Sequence, residues 1–146
     1  MIPMKYMKHR KFFLIFLPVI FVFLLGPGCE SEMKDPKGTL EKQAKKYWTE
    51  RLINKNFEYT YKEEDKKDLP SFSKYKEELK TVTRFPTSSV EIKEVQVEGD
   101  IGTVKLSVKC IVPGFPKELP LPLGDQWIVK GNKWRHKRQL KSPGKK

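Results

Sequence analysis

The stretch Thr103-Val-Lys-Leu-Ser-Val-Lys-Cys-Ile-Val112 decides the fold class of this chain, because its apolar residues recur at every second position. This period is typical of a strand with one buried face and one solvated face. Cys110 lies on the apolar face, so we expect a buried small hydrophobic residue rather than a reactive thiol. Lys105 and Lys109 lie on the opposite face, which we expect to meet solvent.

Strand signals continue on both sides of this stretch. Residues 90–97 alternate but change parity midway, which predicts a strand with a bulge. Residues 126–130 and 133–140 predict two final strands joined by Gly131-Asn132, a pair that suits a tight hairpin. The segment 113–124 contains four prolines, which lack the ladder donor, so we expect a stiff loop or an edge segment there.

Before these strands the period is helical. A first helix is predicted after an N-cap at Thr39, a second from Phe57 and a third after Ser71 or Ser73. The charged run 62–68 is interpreted as a solvated helix end and loop. Helices followed by about four strands, without alternation, predict the α+β class, with N-terminal helices packed on a curved antiparallel sheet. The first helix would bury one face at steps of three and four: Leu40, Ala44, Tyr47, Trp48 and Leu52.

The N-terminus has the three parts of a secretory signal peptide. Basic residues precede an apolar run at 12–25, and small residues then lead to Cys29. The run is 14 residues long and contains Pro18, whereas a spanning helix needs about 20. Gly26-Pro-Gly-Cys29 resembles the lipobox of bacterial lipoproteins, in which the cysteine thiol is diacylated. An ordinary cleaved signal with an incidental cysteine, or an uncleaved anchor, are the alternatives.

These signals predict four parts: a lipoprotein signal peptide at 1–28, a lipidated tether at 29–38, a single α+β domain at 39–141 and a disordered basic tail at 142–146. Removing 28 of the 146 residues leaves 118, the size of one compact domain. If Cys29 carries lipid, the second cysteine has no disulfide partner. Because no Cys/His cluster has ligand spacing, we expect no metal and no cofactor.

Two segments resemble domains of the nuclear transport factor 2-like superfamily, also called the cystatin-like cone fold. They are Ala44-Lys-Lys-Tyr-Trp-Thr-Glu-Arg-Leu-Ile-Asn-Lys-Asn-Phe-Glu-Tyr-Thr-Tyr61 and Asp125-Gln-Trp-Ile-Val-Lys-Gly-Asn-Lys-Trp134. The resemblance implies a sheet that curls around a long helix and leaves a cone-shaped pocket. Core packing is the alternative role for the candidate pocket residues. These are Tyr47, Trp48, Tyr61, Trp127 and Trp134.

The first functional hypothesis is a non-catalytic domain that binds a protein partner or a small apolar ligand in the cell envelope. The resemblance also implies an alternative, because isomerases and dehydratases of this fold place a carboxylate or a His-Asp pair inside the cone. Asp125 and His136 could form such a pair. We instead expect Asp125 to be a solvated turn residue and His136 to lie in a basic surface, and we therefore expect no enzyme.

The C-terminal charge gives a third hypothesis. The signal peptide holds four of the 30 basic residues and none of the 18 acidic ones, so the mature chain keeps a surplus of eight positive charges. Lys133, Arg135 and Lys137 share one strand face and form a candidate basic patch for anionic envelope lipids or glycans. A solvated strand face is the alternative. For an exported, membrane-anchored protein facing the periplasm or the cell surface, we expect no nucleic acid partner.

Overall fold

The structure is a computed structural model that describes residues 33–138. Cys29, the predicted signal peptide and the predicted tail lie outside the described residues. In chain order the elements are α1 (Pro36–Leu52), α2 (Phe57–Glu63), α3 (Phe72–Val82), β1 (Thr87–Glu98), β2 (Ile101–Cys110), β3 (Leu119–Lys130) and β4 (Lys133–Lys137). The strands form one antiparallel sheet in sequence order. The predicted α+β class is confirmed.

Helix α1 begins four residues earlier than predicted. Asp35, not Thr39, is the N-cap, and its carboxylate accepts a hydrogen bond from the amide of Gly38 at 2.9 Å. Pro36 follows at the first helical position, where a missing N–H removes no intrahelical bond. The helix therefore includes the last three residues of the predicted tether. Between residues 33 and 138, no helix is long and apolar enough to cross a membrane.

The strand signals agree with the observed sheet at two points. The predicted bulge in β1 is confirmed, because the register with β2 shifts between Ile92 and Glu94. The predicted hairpin between β3 and β4 turns at Gly131 and Asn132, which have φ angles of 56° and 58°. Two consecutive positive φ angles are the signature of a type I′ turn, whose twist matches that of the flanking strands.

Of the two roles predicted for residues 113–124, a stiff loop or an edge segment, the second applies from Leu119, where β3 begins and includes Pro120 and Pro122. Residues 119–128 of β3 pair with β2, but β4 pairs only with residues 126–130. The first half of β3 therefore has an open edge on the side away from β2. A proline is tolerated in a strand when its missing donor would face an open edge.

The helices pack on one face of the sheet, and the main core lies between α1 and the sheet. Leu40, Ala44 and Tyr47 of α1 and both strand tryptophans, Trp127 and Trp134, have no solvent exposure. A second, smaller core joins α2 to α3 through Phe57, Tyr75 and Leu79. The opposite face of the sheet is not covered by any helix of the described residues.

The free edge of β4 is covered by the segment that follows α2. Glu64 forms a parallel bridge with His136, and the amide of Asp65 donates to the carbonyl of His136 at 2.8 Å. This contact blocks an edge that could otherwise pair with another strand. It also carries the side chain of Glu64 into the interior of the domain.

Candidate functional site

A cluster of polar side chains lies in the interior between α1, the end of α2 and the sheet. We call it the interior polar cluster and define it as Tyr47, Arg51, Glu64, Asp125 and His136. Only 1% of Glu64, 4% of Asp125 and 5% of His136 is exposed to solvent. Charged groups are rarely buried to this extent unless they are paired, so their partners decide what the cluster can do.

Each member is placed by a simple local rule. Tyr47 and Arg51 are four residues apart on α1, which puts them on one helix face. Asp125 is two residues before Trp127 on β3, so both point to the same face of the sheet. His136 of β4 stands directly opposite Trp127 in the β3–β4 register and therefore points inward as well.

Glu64 is the centre of the cluster, because its carboxylate accepts three hydrogen bonds. Oε1 accepts from the hydroxyl of Tyr47 at 2.6 Å and from that of Tyr75 at 2.9 Å. Oε2 lies 2.7 Å from Nδ1 of His136. A guanidinium nitrogen of Arg51 donates to the Tyr47 hydroxyl at 2.6 Å and lies 3.8 Å from Oε1 of Glu64.

Asp125 holds the other side of the imidazole. Its Oδ2 accepts from the indole nitrogen of Trp48 at 2.7 Å and from that of Trp127 at 3.0 Å. The same oxygen lies 3.4 Å from Nε2 of His136. Oδ1 of Asp125 and Nε of Arg51 are buried without a hydrogen-bond partner among residues 33–138. His136 therefore sits between two buried carboxylates.

The burial and the pairing oppose each other in setting the pKa values. Burial alone would lower the pKa of His136, but its contacts with Asp125 and Glu64 outweigh burial and raise that pKa above its ordinary value. Burial alone would raise the pKa of Glu64, but the contacts with His136, Tyr47 and Arg51 lower it. Burial and the charge of Glu64 raise the pKa of Tyr75 to about 12. The tyrosine hydroxyl therefore remains a donor at neutral pH.

With a protonated His136, the cluster contains two carboxylates, one imidazolium and one guanidinium. The four charges balance, which removes the main cost of burying them. Glu64 makes three close hydrogen-bond contacts within the domain. Within the described residues, no group of three or more His, Cys, Asp or Glu side chains is suited to hold a metal ion.

Three of the five candidate pocket residues meet around the imidazole. The ring centroid of Tyr47 lies 4.5 Å from that of His136, and those of Trp127 and Trp48 lie 5.3 Å and 5.9 Å from it. Trp134 is in the same core, where its indole nitrogen donates to the carbonyl of Pro36 at 3.0 Å. In this structure these rings fill the interior of the cone.

Tyr61 is not part of this group. It packs on Phe72 and Tyr75 in the second core, with ring centroids 5.2 Å away in both cases. Its hydroxyl donates to the carbonyl of Pro70 at 2.9 Å, which ties α2 to the segment that precedes α3. The sequence spacing predicts that Tyr61 lies on the same helix face as Phe57, but it does not predict the packing of Tyr61 between α2 and α3.

The expected positions of two polar residues were wrong. Asp125 is not a solvated turn residue and His136 is not part of a basic surface, because both are buried and face each other. Glu64 was placed in a solvated run, although it lies seven residues after Phe57 and four after Thr60. That spacing continues the buried face of α2 to Glu64, one residue past the end of the helix, a signal that the surrounding charges obscured.

Part of the positive charge of the candidate basic patch is compensated by partners within the domain. Arg135 lies 3.6 Å from Glu63 and donates to the carbonyl of Lys62 at 2.8 Å. Lys133 and Lys137 are exposed, and Lys137 lies 3.4 Å from the side-chain oxygen of Gln126. The three residues share a strand face, as predicted, but the central cation is neutralised.

The uncovered side of the sheet carries a second feature, a shallow groove of about 740 Å³. We call this side the outer face; it includes the side chains that alternate with the buried ones along β2 and β3. The groove runs between Lys93 and Lys105 of β1 and β2 and the two prolines of β3. Ile101, 53% exposed, and Ile128 are paired across the strands on the same face.

Comparison with solved structures identifies the architecture. A protein from Campylobacter jejuni that is described as an NTF2-like transpeptidase superposes with a TM-score of 0.53 and 13% sequence identity. The match covers 68% of this chain and 97% of that chain. The chain has an NTF2-like fold. This result confirms the fold implied by the resemblance of the two sequence segments, because helices followed by a curved sheet are the layout of that fold.

Two further structures are similar to the chain. A SEC-C motif containing protein from Rhodopseudomonas palustris gives a TM-score of 0.48 at 17% identity, over 64% of this chain and 70% of that one. The de novo designed NTF2 fold protein NT-9 gives 0.45 at 15% identity, over 77% and 90%. No protein-family model and no curated protein matches the sequence.

Proposed function

We propose that this protein is an exported lipoprotein whose NTF2-like domain is not catalytic and binds a protein partner through the outer face of the sheet. The observation that carries the proposal is the contrast between the two sides of the sheet. On the inner side, the rings and the interior polar cluster pack against one another. On the outer side, an apolar groove and exposed isoleucine lie open to solvent.

The interior offers little to a ligand. Tyr47, Trp127 and Trp134 have no exposed surface, and Glu64 makes three close hydrogen-bond contacts within the domain. A small apolar ligand would have to displace packed aromatic rings, each of which contributes a large buried area. A binding role therefore fits the outside of the domain better than the cone.

The outer face has the composition of a protein-binding surface. Pro120 and Pro122 border the groove with rigid apolar rings, and Lys93 and Lys105 rim it. An apolar centre with a polar rim is the usual anatomy of a protein interface. The groove is open and shallow, whereas small-molecule sites are concave enough to bury most of the ligand.

Membrane anchoring through Cys29 is the second part of the proposal. The sequence supports it through the basic, apolar and small-residue order of residues 1–28. Mass spectrometry of the purified protein tests it directly. We expect a mature N-terminus at Cys29 with acyl chains attached, and we expect a Cys29→Ser variant to leave the membrane fraction. An intact Met1, or an unmodified Cys29, would overturn the anchor.

Photo-crosslinking in cells tests the partner. A photoreactive residue placed at Ser107, beside the groove, is expected to give one discrete adduct with another protein. The same residue at the exposed Glu77 of α3 is the matched control and is expected to give none. The adduct should disappear when Pro122→Asp introduces a charge beside the groove. Equal labelling from both positions, or an adduct of two copies of this chain, would contradict the proposal.

A second candidate function is catalysis inside the cone, because His136 lies 3.4 Å from Asp125 and 2.7 Å from Glu64. A histidine held between carboxylates is a common form of general base. His136 is 5% exposed, so a substrate would reach it only if the packing around the imidazole opened.

The accessibility of His136 separates the two functions. It is the only histidine after residue 28, so modification by diethyl pyrocarbonate reports on it alone in the mature protein. A non-catalytic domain predicts modification at the rate of global unfolding, with the chain unfolded in urea as the reference for full reactivity. Rapid modification of the folded protein would instead favour an opening cone and catalysis.

A further inference from the structure

We infer that the exposed lysine face of α1 lies on the anionic headgroups of the membrane that anchors the protein. The inference rests on the lipid anchor proposed at Cys29 and names the surface that the anchored domain turns to the bilayer. We call it the α1 lysine face and define it as Lys42, Lys45 and Lys46. It follows from helix geometry, from unpaired charge and from the length of the tether.

Helix geometry collects these lysines on one side. Leu40, Ala44 and Tyr47 define the buried stripe of α1. Lys42, Lys45 and Lys46 are separated by three, one and four positions, so they share the opposite face of the helix. All three are exposed. The helix therefore presents three amines outward within little more than one turn.

The charges of this face have no ion pair within residues 33–138. Lys46 lies 4.8 Å from the ring centroid of Tyr59, a contact that leaves its charge in place. The acids of β1 nearest to α1, Glu91 and Glu94, are each paired at 2.7 Å with another lysine. On α1 itself, Glu41 and Glu50 are the acids on the solvent side, and neither is within ion-pair distance of a lysine.

The cations near the C-terminus of the described residues behave differently. Lys130 is paired with Asp65 at 2.6 Å, Arg135 with Glu63 at 3.6 Å and Arg138 with Glu78 at 2.6 Å. A cation that already has a partner gains less from a second anion. Because its lysines are unpaired, α1 is a better candidate for the lipid contact than the predicted patch on β4.

The anchor brings this face close to the bilayer. Cys29 and Pro36 are seven positions apart, and a fully extended chain of that length spans at most about 25 Å. Several lysines held near an anionic surface act together, and their attraction extends over about 8 Å at physiological ionic strength. An anionic bilayer is the extended negative surface that matches these amines. With α1 on the bilayer, the outer face of the sheet points away from it.

Lysine acylation of the full-length lipidated protein tests the inference. The protein is reconstituted in vesicles of phosphatidylglycerol and phosphatidylcholine, or of phosphatidylcholine alone, and treated briefly with an amine-reactive ester. Peptide mass spectrometry then gives the rate at each lysine. In anionic vesicles at low salt, we expect the α1 lysine face to react several-fold more slowly than in neutral vesicles, and this protection should vanish in high salt.

The chain contains its own control. Lys74, Lys76 and Lys80 on α3 are also exposed and lack ion pairs among the described residues. They differ from the α1 lysines in that α3 does not follow the tether, and we therefore expect their rates not to depend on the lipid. Equal rates on α1 in both vesicles, or equal protection of α1 and α3, would overturn the inference. Inorganic phosphate that gave the same protection without vesicles would also overturn it, because the ligand would then be a free anion.

The same preparation separates this inference from the anchor. An intact mass without acyl chains would refute the anchor alone. Sedimentation of that unlipidated protein with anionic vesicles, with α1 protected, would still support the lysine face, and failure to sediment would reject it.

Discussion

The carboxylate of Glu64 lies 2.7 Å from Nδ1 of His136, and both side chains are buried. This contact joins the end of α2 to β4 at the point where their backbones also pair. It is therefore a link between the helical layer and the sheet, formed by two groups that would be costly to bury alone. Its chemistry leads to predictions about stability.

Replacing Glu64 with Ala should destabilise the domain by about 3–5 kcal/mol, the usual cost of removing one partner of a buried ion pair. The variant leaves Tyr47, Tyr75 and His136 without their common acceptor. Urea unfolding followed by tryptophan fluorescence measures the change. Glu58→Ala, which breaks an exposed pair on α2, should leave the urea midpoint nearly unchanged. Similar losses in both variants would contradict the central role of Glu64.

Stability should also depend on pH through the same pair. The pKa of His136 is raised above its ordinary 6.5, so its contribution is complete below that pH and is lost as pH rises through the folded-state pKa. The pKa of Glu64 is lowered below its ordinary 4.5, so its contribution is present above that pH and is lost as pH falls through the folded-state pKa. We expect maximal stability in mildly acidic solution, between these two values.

A His136→Gln variant tests the alkaline side of this dependence. It should be less stable overall, because two carboxylates lose a partner, but the histidine-linked decline above neutrality should be absent. Urea midpoints measured at several pH values for both proteins give the comparison. An alkaline decline of equal slope in the variant would show that other groups cause it.

Tyr75→Phe should weaken the contact between α3 and the interior. The change removes one hydroxyl, which donates to Glu64 at 2.9 Å and lies 3.1 Å from Thr60, and leaves the ring in the second core. We expect a loss of about 1–3 kcal/mol, typical of a hydrogen bond to a charged group. Faster hydrogen exchange confined to α3 would show where the loss acts. Tyr59→Phe on α2, whose hydroxyl makes no hydrogen bond among residues 33–138 and whose ring lies below the Lys46 amine, is the neutral control.

The layers of the fold could be predicted from the sequence, because the buried faces of helices and strands follow the spacing of the apolar residues. The alternation of β2 and the helical spacing from Leu40 to Leu52 both match the observed buried faces. The start of α1 could not be fixed in the same way. Asp35 and Thr39 are both good N-caps, and Pro36 favours the first only when the whole N-terminal turn is considered.

The interior polar cluster was predicted less well, because its members are separated in sequence by up to 89 positions and meet only in the folded sheet. Parity placed His136 on the face of Trp134, and the same rule places Asp125 on the face of Trp127. The charged residues around them instead favoured solvated positions for both side chains. Only the register of β3 and β4 shows that the charges compensate one another.

Gly102→Ala should destabilise the domain although the backbone there needs no glycine. A methyl group at this position would overlap the Leu40 side chain and lie 3.1 Å from the ring of Trp134. Both neighbours are fully buried, so neither can move without disturbing the core. We expect a loss of about 1–3 kcal/mol, the usual cost of overpacking. Thermal unfolding of Gly102→Ala beside Gly124→Ala, where the nearest atom to the added methyl is 4.0 Å away, provides the comparison. In a double-mutant cycle with Leu40→Ala, a combined loss smaller than the sum of the two single losses would establish the contact between α1 and β2 as the cause.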